Sequence, residues 1–173
     1  MFADRMDMPQ EKHKILSLFA NIGVAEAYLE EIGYDVVVAN ELDPKRAALY
    51  QKIYPKTNMI CGDITDDKVY QQIISSAQNQ KVSLIMATPP CQGISTAGKQ
   101  KKFDERNDLF RYALNAVNEL NPEYVLFENV PGFLKTFVMY ANEPMLITDV
   151  IKKEIGNNYI LNFYENINYY DNL

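Results

Sequence analysis

The sequence predicts an α/β fold with a doubly wound, mostly parallel sheet. Short apolar runs that are typical of buried strands alternate with helical patterns along all 173 residues. Repeated strand–helix–strand units of this kind form parallel sheets through right-handed crossovers. Because no internal repeat, low-complexity tract or interdomain linker interrupts the alternation, a single domain over residues 1–173 is expected.

The first half of the chain is predicted to contain three strands and three helices. Apolar runs predict the strands at 14–19, 35–39 and 57–61. A helix over 24–32 is expected to stop at Gly33, because glycine tolerates the left-handed conformation of a helix end. Asp43 and Pro44 are typical of a helix start and predict a helix that reaches Ile53. The third helix is predicted over 66–77.

The second half begins with a fourth predicted strand at 82–87, which Pro89 and Pro90 terminate. The polar stretch 88–107 is long for a loop, and such loops are usually functional or mobile. A helix over 108–120 and a fifth strand over 123–127 are expected next. A helix over 143–155 that ends at Gly156, and a sixth strand over 159–167, complete the prediction.

Composition excludes several classes of protein. Hydrophobic residues make up 47% and charged residues 23%, which is ordinary for a globular protein. No apolar run is long enough to span a membrane, and the amino-terminal residues lack the apolar core of a signal peptide. The single histidine, His13, leaves no multi-histidine metal site, so no metal is expected. Two cysteines give no disulfide framework and indicate a reducing cytoplasm; Cys61, after an apolar pair, is predicted to be buried.

The charge balance argues against a nucleic-acid-binding surface on this chain. The net charge is −6 and the pI is about 4.8, whereas nucleic-acid binders usually present a basic face. One short basic cluster follows Cys91 and consists of Lys99, Lys101, Lys102, Arg106 and Arg111. Such a cluster is more often a solvated loop than a binding patch, but its position beside a candidate reactive residue leaves a binding role open.

Cys91 is the strongest candidate for chemistry. It follows the fourth predicted strand, and ligands of open α/β sheets bind beyond the carboxyl ends of the strands. A lone cysteine is commonly a small buried hydrophobe. Here the stiff pair Pro89–Pro90 precedes the thiol and Gln92–Gly93 follows it, and a core residue needs neither. The context therefore favours a nucleophile.

A nucleotide-type pocket is predicted where the first three strands end. The turn 19–23 has small or turn-tolerant residues, which let the backbone approach a ligand. Glu41 ends the second strand, where an acid binds ribose hydroxyls in dinucleotide folds, and Asp63 ends the third. Either acid could instead cap the helix that follows it. The pair of acids beside a glycine turn favours an adenosine-like ligand.

The carboxyl group of Glu128 is predicted to face the Cys91 thiol. Glu128 and Asn129 end the fifth strand, which should neighbour the fourth. A carboxyl group near a thiol suggests acid catalysis paired with nucleophilic attack. A helix-capping role for Glu128 is the alternative, and it leaves Asn129 without an explanation.

Taken in order, these segments resemble the N-terminal catalytic half of the DNA (cytosine-5-)-methyltransferase family. The most specific part is the pair Pro90-Cys91-Gln92 and Glu128-Asn129-Val130, with each member at a predicted strand end. The other matching segments are 19–23, 41–43, 62–64 and 104–110. The resemblance implies the Rossmann-like sheet of S-adenosylmethionine-dependent methyltransferases, truncated here before its last strand.

The resemblance also implies a cofactor site for S-adenosylmethionine and its product S-adenosylhomocysteine. Glu41 would bind the ribose hydroxyls and Asp63 the adenine amine. Asn21 and Val24 are departures, because family members usually have glycine at both positions. The residues implied to hold the cofactor are Phe19, Ala20, Asn21, Ile22, Gly23, Glu41, Leu42, Asp63, Ile64, Pro90 and Leu109.

The implied catalytic residues are Pro90, Cys91, Glu128 and Asn129. Cys91 would attack C6 of a cytosine that is flipped out of double-stranded DNA, because the ring carbon is inaccessible inside the duplex. Glu128 would hydrogen-bond the N3 edge and offset the charge that develops there. The activated C5 would then take the methyl group, and loss of the C5 proton would release Cys91.

The family's DNA-recognition domain and final helix are not found in this sequence, so a complementary C-terminal chain or segment, or self-association, is expected for activity. The acidic pI fits this expectation, because the basic DNA-reading half would lie outside the chain. The second class of function is a catalytically inactive remnant that at most binds the cofactor. A tRNA cytosine methyltransferase is less favoured, because 89–95 resembles the bacterial DNA enzymes. A restriction–modification enzyme in the bacterial cytoplasm or nucleoid, without a membrane partner, is the expectation.

Overall fold

The computed structural model describes residues 12–90 and 109–164. The chain divides into two compact units. The first comprises Met1–Met86 and Pro122–Val125, and the second comprises Ala87–Asn121 and Leu126–Leu173. None of the helices within the described ranges is long and apolar enough to cross a membrane.

Five strands form one mostly parallel sheet. They are β1 (His13–Leu18), β2 (Tyr34–Glu41), β3 (Asn58–Cys61), β4 (Leu84–Ala87) and β5 (Tyr124–Phe127). Their order in the sheet is β3-β2-β1-β4-β5, with β1 parallel to β2 and β2 parallel to β3. From β1 the chain builds one side of the sheet with β2 and β3, then the other side with β4 and β5. This doubly wound order confirms the predicted fold class.

Central strands carry the most deeply buried residues of the sheet. Leu16 and Leu18 on β1, and Val38 and Ala39 on β2, are completely inaccessible to solvent. Neighbouring residues of a strand point to opposite faces, so the burial of both Val38 and Ala39 means that both faces are covered. This is why the strands of the sequence read as continuous apolar runs.

Two helices of the first unit begin at aspartate caps. α1 spans Pro44–Ile53, and the Asp43 side chain accepts hydrogen bonds from the backbone N–H groups of Lys45 and Arg46. α2 spans Asp67–Gln80, and Asp66 caps it in the same way. Caps of this kind satisfy N–H groups that have no partner inside the helix. The predicted start of α1 is confirmed.

In its described part the second unit has two α-helices, a short 3-10 helix (Pro131–Lys135) and a hairpin. α3 spans Phe110–Leu120 and α4 spans Ile147–Ile155, and each buries one apolar face. β6 (Phe137–Tyr140) and β7 (Glu143–Leu146) pair antiparallel. The ring of Phe110 at the start of α3 meets the ring of Phe133 edge to face, with 6.3 Å between the centroids.

The predicted helix over 24–32 is wrong. The segment forms successive turns with i to i+3 hydrogen bonds and only a short 3-10 helix, Glu30–Ile32. Tyr28 has a φ of 68°, which interrupts a right-handed helix. Val24, Tyr28 and Ile32, which would lie on one face of such a helix, are all at least 67% exposed. Without burial of that face, little stabilises a nine-residue helix.

Two predictions in the second unit are also wrong. The helix predicted from 143 begins at Ile147, because 143–146 form β7 instead. Ala141 and Asn142, with φ of 50° and 68°, make the two-residue turn that joins the hairpin, and positive φ at both positions matches the twist of paired strands. The strand predicted over 159–167 is absent from its described part, 159–164.

Cys61 is exposed rather than buried. It is the last residue of β3, which lies at the edge of the sheet in the described chain. Ile60, the residue before Cys61, is only 3% exposed, so Ile60 is the residue of this strand that points into the core. Alternation of side chains along a strand therefore places the thiol outside the core.

Candidate active site

The turn after β1 has an unusual backbone conformation. Phe19, Asn21 and Gly23 have φ values of 61°, 54° and 84°, so alternate residues are left-handed. Asparagine tolerates this conformation better than most residues, which is why Asn21 stands where the resemblance leads one to expect glycine. The N–H of Ala20 donates to the Asn40 carbonyl over 2.9 Å and anchors the turn to the end of β2.

Gly23 is required by packing as well as by its φ. A Cβ atom at this position would lie 2.2 Å from the ring of Tyr54. The Tyr54 hydroxyl donates to the Gly23 carbonyl over 2.6 Å, which holds the ring in that position. Tyr54 contacts the candidate site, and the sequence reasoning missed it. Its spacing of four from Tyr50 on α1 is the pattern that could have indicated it, because the two rings pack together.

Glu41 connects the turn after β1 with the turn after β2. Its carboxylate is only 6% exposed; Oε2 accepts from the Asn21 N–H over 2.9 Å and Oε1 from the Asp43 N–H over 2.8 Å. The alternative of a helix cap does not apply, since Asp43 caps α1. Each carboxylate oxygen has two lone pairs, so each retains one acceptor site beyond its backbone partner.

Asp63 lies in the turn that follows β3. It is exposed, and its Oδ1 accepts from the N–H and the hydroxyl of Thr65, over 2.9 and 2.8 Å. Asp66 caps α2, so the helix-cap alternative is excluded for Asp63 too. The two apolar neighbours of the acids differ: Leu42 is 63% exposed, whereas Ile64 is 3% exposed and belongs to the core.

In the second unit, the loops after β4 and β5 are tied together. The N–H of Glu128 donates to the Ala87 carbonyl over 3.0 Å. The Asn129 side-chain amide donates to the Pro89 carbonyl over 2.8 Å, and its Oδ1 accepts from the Val130 N–H. Asn129 thus links the Glu128 loop to the Pro89–Pro90 stalk. The Glu128 side chain is exposed and Pro90 is half-buried.

Several predicted site residues fall outside the described ranges or at their edge. Cys91 lies outside them, as do the basic residues Lys99, Lys101, Lys102 and Arg106. Leu109, at the start of α3, is half-buried. Arg111 of the basic cluster donates to the Met139 carbonyl of the hairpin, and its guanidinium lies 5.4 Å from the centroid of the Phe110 ring. Within the second unit Arg111 therefore has a structural partner.

A buried carboxyl group that the sequence did not indicate lies close to the turn after β1. Glu26 is 3% exposed, and its Oε1 accepts from the Ser17 hydroxyl over 2.6 Å. Burial raises the pKa of Glu26, while the hydrogen bond from Ser17 opposes that shift. Nothing in the sequence distinguishes Glu26 from the exposed acids Glu30 and Glu31 nearby, so no local signal could have found it.

Comparison with known proteins identifies relatives of the chain. The family model described as C-5 cytosine-specific DNA methylase matches residues 13–155. The Type II methyltransferase M1.HgaI of Avibacterium volantium is 40% identical over 86% of this chain and 43% of its own length. The tRNA (cytosine(38)-C(5))-methyltransferase of Spodoptera frugiperda is 32% identical over 70% of this chain and 36% of its own length.

Solved structures show the same fold. The crystal structure of the S. pombe Dnmt2 methyltransferase superposes with a TM-score of 0.60 at 24% identity, covering 84% of this chain and 42% of that one. The chain spans less than half the length of these relatives. The family match extends over most of the chain and includes both candidate site regions, so the resemblance stated above is confirmed. The chain belongs to the C-5 cytosine-specific DNA methylase family.

Proposed function

We propose that the chain forms the cofactor-binding and cytosine-activating part of an enzyme that methylates C5 of cytosine in DNA. The observation that carries this proposal is the hydrogen bond from the Asn129 side chain to the Pro89 carbonyl. It brings the loop of Glu128 alongside the proline stalk that leads directly to Cys91. Attack on a pyrimidine ring requires an acid and a thiol near each other, and the fixed pair of loops supports this pairing of Glu128 with the residue that follows Pro90 in the sequence.

Cytosine activation is assigned to Cys91 and Glu128. The Cys91 thiolate forms a bond to C6 of a cytosine flipped out of double-stranded DNA. Glu128 hydrogen-bonds the N3 edge and stabilises the charge that moves onto the ring. After C5 is methylated, removal of its proton expels the Cys91 thiolate and restores the ring. Asn129 acts as a positioning residue, since its side chain touches the Pro89 carbonyl rather than the base.

The residues of the first unit fit an adenosine-containing cofactor. S-adenosylmethionine would supply the methyl group from its sulfonium and leave as S-adenosylhomocysteine. The remaining acceptor site on each Glu41 oxygen suits a ribose diol. Asp63 is exposed and free to bond an adenine amine through its second oxygen. Phe19 to Gly23, Leu42 and Ile64 complete the proposed site, and Pro90 and Leu109 are proposed from the second unit.

Activity is proposed to require a complementary C-terminal chain or segment, or self-association. The chain spans less than half the length of its relatives, and β5 is the last strand in the described sheet. An unpaired strand edge favours pairing with another segment. With DNA as the substrate, the cytoplasm or nucleoid of a bacterium is the proposed location.

A test of the cofactor site uses calorimetry with S-adenosylhomocysteine and the variants Asp63→Ala and Asp67→Ala. Asp63 lies in the turn before α2 and Asp67 is the first residue of α2, and both are exposed. Each variant therefore changes the net charge of the protein by the same amount in the same region. Only Asp63→Ala should weaken binding, by roughly ten-fold for one lost charge-assisted hydrogen bond. Equal affinities for the two variants would place the adenine elsewhere.

A test of the chemistry uses covalent trapping by DNA that contains 5-fluorocytosine, which blocks release of the thiol. The complementary segment is supplied from M1.HgaI, and tRNA with the same base analogue serves as the competing substrate. Trapping on DNA that disappears in Cys91→Ser supports the proposal. Trapping on tRNA alone would favour the function of the Spodoptera frugiperda relative, and cofactor binding without any trapping would favour an inactive remnant.

A further inference from the structure

A single hydrogen bond closes the cofactor-binding turn into a loop. Ser17 precedes the turn 19–23 on β1 and Glu26 follows it, and the Ser17 hydroxyl donates to Glu26 Oε1 over 2.6 Å. Both side chains are buried, at 1% and 3% exposure. A hydrogen bond shielded from water competes little with solvent, so it restrains the chain on both sides of the turn.

Two tyrosines, Tyr50 of α1 and Tyr54 just after its C-terminal end, also hold this turn. Tyr54 donates to the Gly23 carbonyl, and its ring lies 4.8 Å from the ring of Tyr50. Tyr50 is completely buried, and the nearby Glu26 carboxyl contributes to raising the pKa of its hydroxyl, after burial itself. The buried Glu26 and Tyr50, with the half-buried Tyr54 beside them, therefore form one polar cluster next to the turn.

The cluster is left with two unpaired polar atoms. Neither Glu26 Oε2 nor the Tyr50 hydroxyl makes a hydrogen bond of good geometry among the described residues, although the Tyr50 hydroxyl is near enough to Glu26 to offset part of the rise in its pKa. An ionised carboxylate in that position would be buried with one oxygen unsatisfied, which is strongly unfavourable, whereas a neutral carboxyl group is tolerated. Burial raises the pKa of Glu26 for this reason.

We propose that Glu26 is a positioning residue whose neutral carboxyl group holds the turn 19–23 in the conformation that receives the cofactor. The inference rests on the proposed function for the identity of the ligand, but its structural basis lies in the hydrogen bond to Ser17. Glu26 does not touch the ligand in this assignment. It acts through the backbone that it restrains.

The proposal has a pH dependence with a definite sign. As pH rises through the raised pKa of Glu26, the carboxyl group ionises inside the folded protein and the turn is weakened. Between the ordinary carboxyl pKa and the raised one, the unfolded chain has already lost this proton, so stability falls with rising pH across that window. Titratable Tyr50 and Tyr54 face Glu26 from α1.

Other charged groups lie around the same site. Glu26 lines an open cavity of about 440 Å³ against β2, and the charged groups that share its wall are Glu30, Glu31, Asp35 and Lys56. Glu30 pairs with Lys56 at 3.3 Å, which offsets part of the acidic field. Lys12 pairs with Asp35 at 3.1 Å and with Glu30 at 3.6 Å, so these acids are largely compensated and burial is the main cause of the raised pKa of Glu26.

The test compares Glu26→Gln, Glu26→Ala and the control Glu31→Gln in the full chain. Glutamine stays neutral, accepts from Ser17 through its amide oxygen and offers its NH₂ group toward Tyr50. Affinity for S-adenosylhomocysteine should fall as pH rises in the wild type and in Glu31→Gln, but stay level in Glu26→Gln. Glu26→Ala should bind roughly ten-fold more weakly at every pH, because a buried Ser17 hydroxyl loses its partner.

Amide hydrogen exchange at Ala20, Asn21 and Gly23 provides a second readout that needs no ligand. Protection of these N–H groups should follow the same pH profiles in the same three proteins. If wild type and Glu26→Gln share one pH profile in both measurements, the positioning role is overturned. If the exchange profiles differ as expected while no protein binds S-adenosylhomocysteine, Glu26 positions the turn and the proposed function fails instead.

Discussion

Substitution of Gly23 by alanine isolates the packing requirement of the turn 19–23, which is proposed to bind the cofactor. Gly23 and Gly33 both lie in the first unit and have nearly the same φ, 84° and 89°. They differ in their surroundings: a Cβ at Gly23 would lie 2.2 Å from the Tyr54 ring, whereas a Cβ at Gly33 would meet nothing within 4 Å. Gly33→Ala is therefore a matched control for the backbone contribution alone.

The expected magnitudes follow from these contacts. A left-handed alanine is destabilised by about 1–2 kcal/mol relative to its right-handed form, which applies to both variants. The smaller entropy of the unfolded chain after Gly→Ala also applies to both and cancels in the comparison. Gly23→Ala must in addition displace the Tyr54 ring and break its hydrogen bond to the Gly23 carbonyl, which adds about 1–2 kcal/mol.

The free energy of unfolding is measured for both variants by urea denaturation. Gly23→Ala should be less stable than Gly33→Ala by about 1–2 kcal/mol. Adding Tyr54→Ala should remove most of that difference, because the ring that obstructs the new methyl group is gone. Equal stabilities for Gly23→Ala and Gly33→Ala would refute the claim that Tyr54 packs against the turn and fixes it.

Two further outcomes are expected. Backbone N–H groups of Arg46 and Lys45 hold the pKa of Asp43 below its ordinary value, so its stabilising effect is present at neutral pH and lost as pH falls through that lowered pKa. Asp43→Asn should lose this acid-side component of the pH–stability curve, and an unchanged curve would contradict the cap. Asn129→Ala should slow trapping of 5-fluorocytosine DNA roughly ten-fold by releasing the proline stalk. Asn118→Ala, which changes an exposed asparagine of α3, should leave it unchanged.

The sheet could be predicted because a strand that is buried on both faces consists of consecutive apolar residues, which the sequence shows directly. β1, β2 and β4 are apolar runs covered on both faces, and each is followed by a turn residue or proline. The start of α1 was equally clear, because the Asp43–Pro44 pair satisfies the first helical N–H groups by local chemistry alone. Strands and caps of this kind depend on a few adjacent residues.

Elements that depend on tertiary contacts could not be predicted. The spacing of Val24, Tyr28 and Ile32 matches a helix, but the three side chains are exposed, while the buried residue in their midst is the polar Glu26. Strand β7 was predicted as the start of a helix, although Asn142 at the preceding turn favours positive φ. In both segments the prediction treated apolar residues as buried because of their spacing. Burial in the folded protein depends instead on which residues contact one another.

The candidate site was predictable in position but not in detail. Glu41 and Asp63 lie at the ends of β2 and β3 as expected, since parallel strands end at one edge of the sheet. The hydrogen bonds from Tyr54 to Gly23 and from Asn129 to Pro89 could not be predicted, because each joins residues that are far apart in the sequence. Hydrogen bonds of this kind are created by the fold and are visible only once it is known.

The two backbone partners of Glu41 have a consequence for ligand recognition. The N–H groups of Asn21 and Asp43 each donate a hydrogen bond to one carboxylate oxygen of Glu41. The Glu41 side chain is therefore already immobilised before a ligand binds. Immobilising a flexible side chain on binding costs about 0.5–1.5 kcal/mol of binding free energy. For Glu41 this cost is part of folding and does not reduce the affinity for a ligand. If the proposed ribose site is correct, a pair of ligand hydroxyls would meet acceptors whose spacing and direction are preset. A carboxylate that cannot turn also cannot adapt to hydroxyls of different spacing, so rigidity at Glu41 would raise affinity and selectivity together.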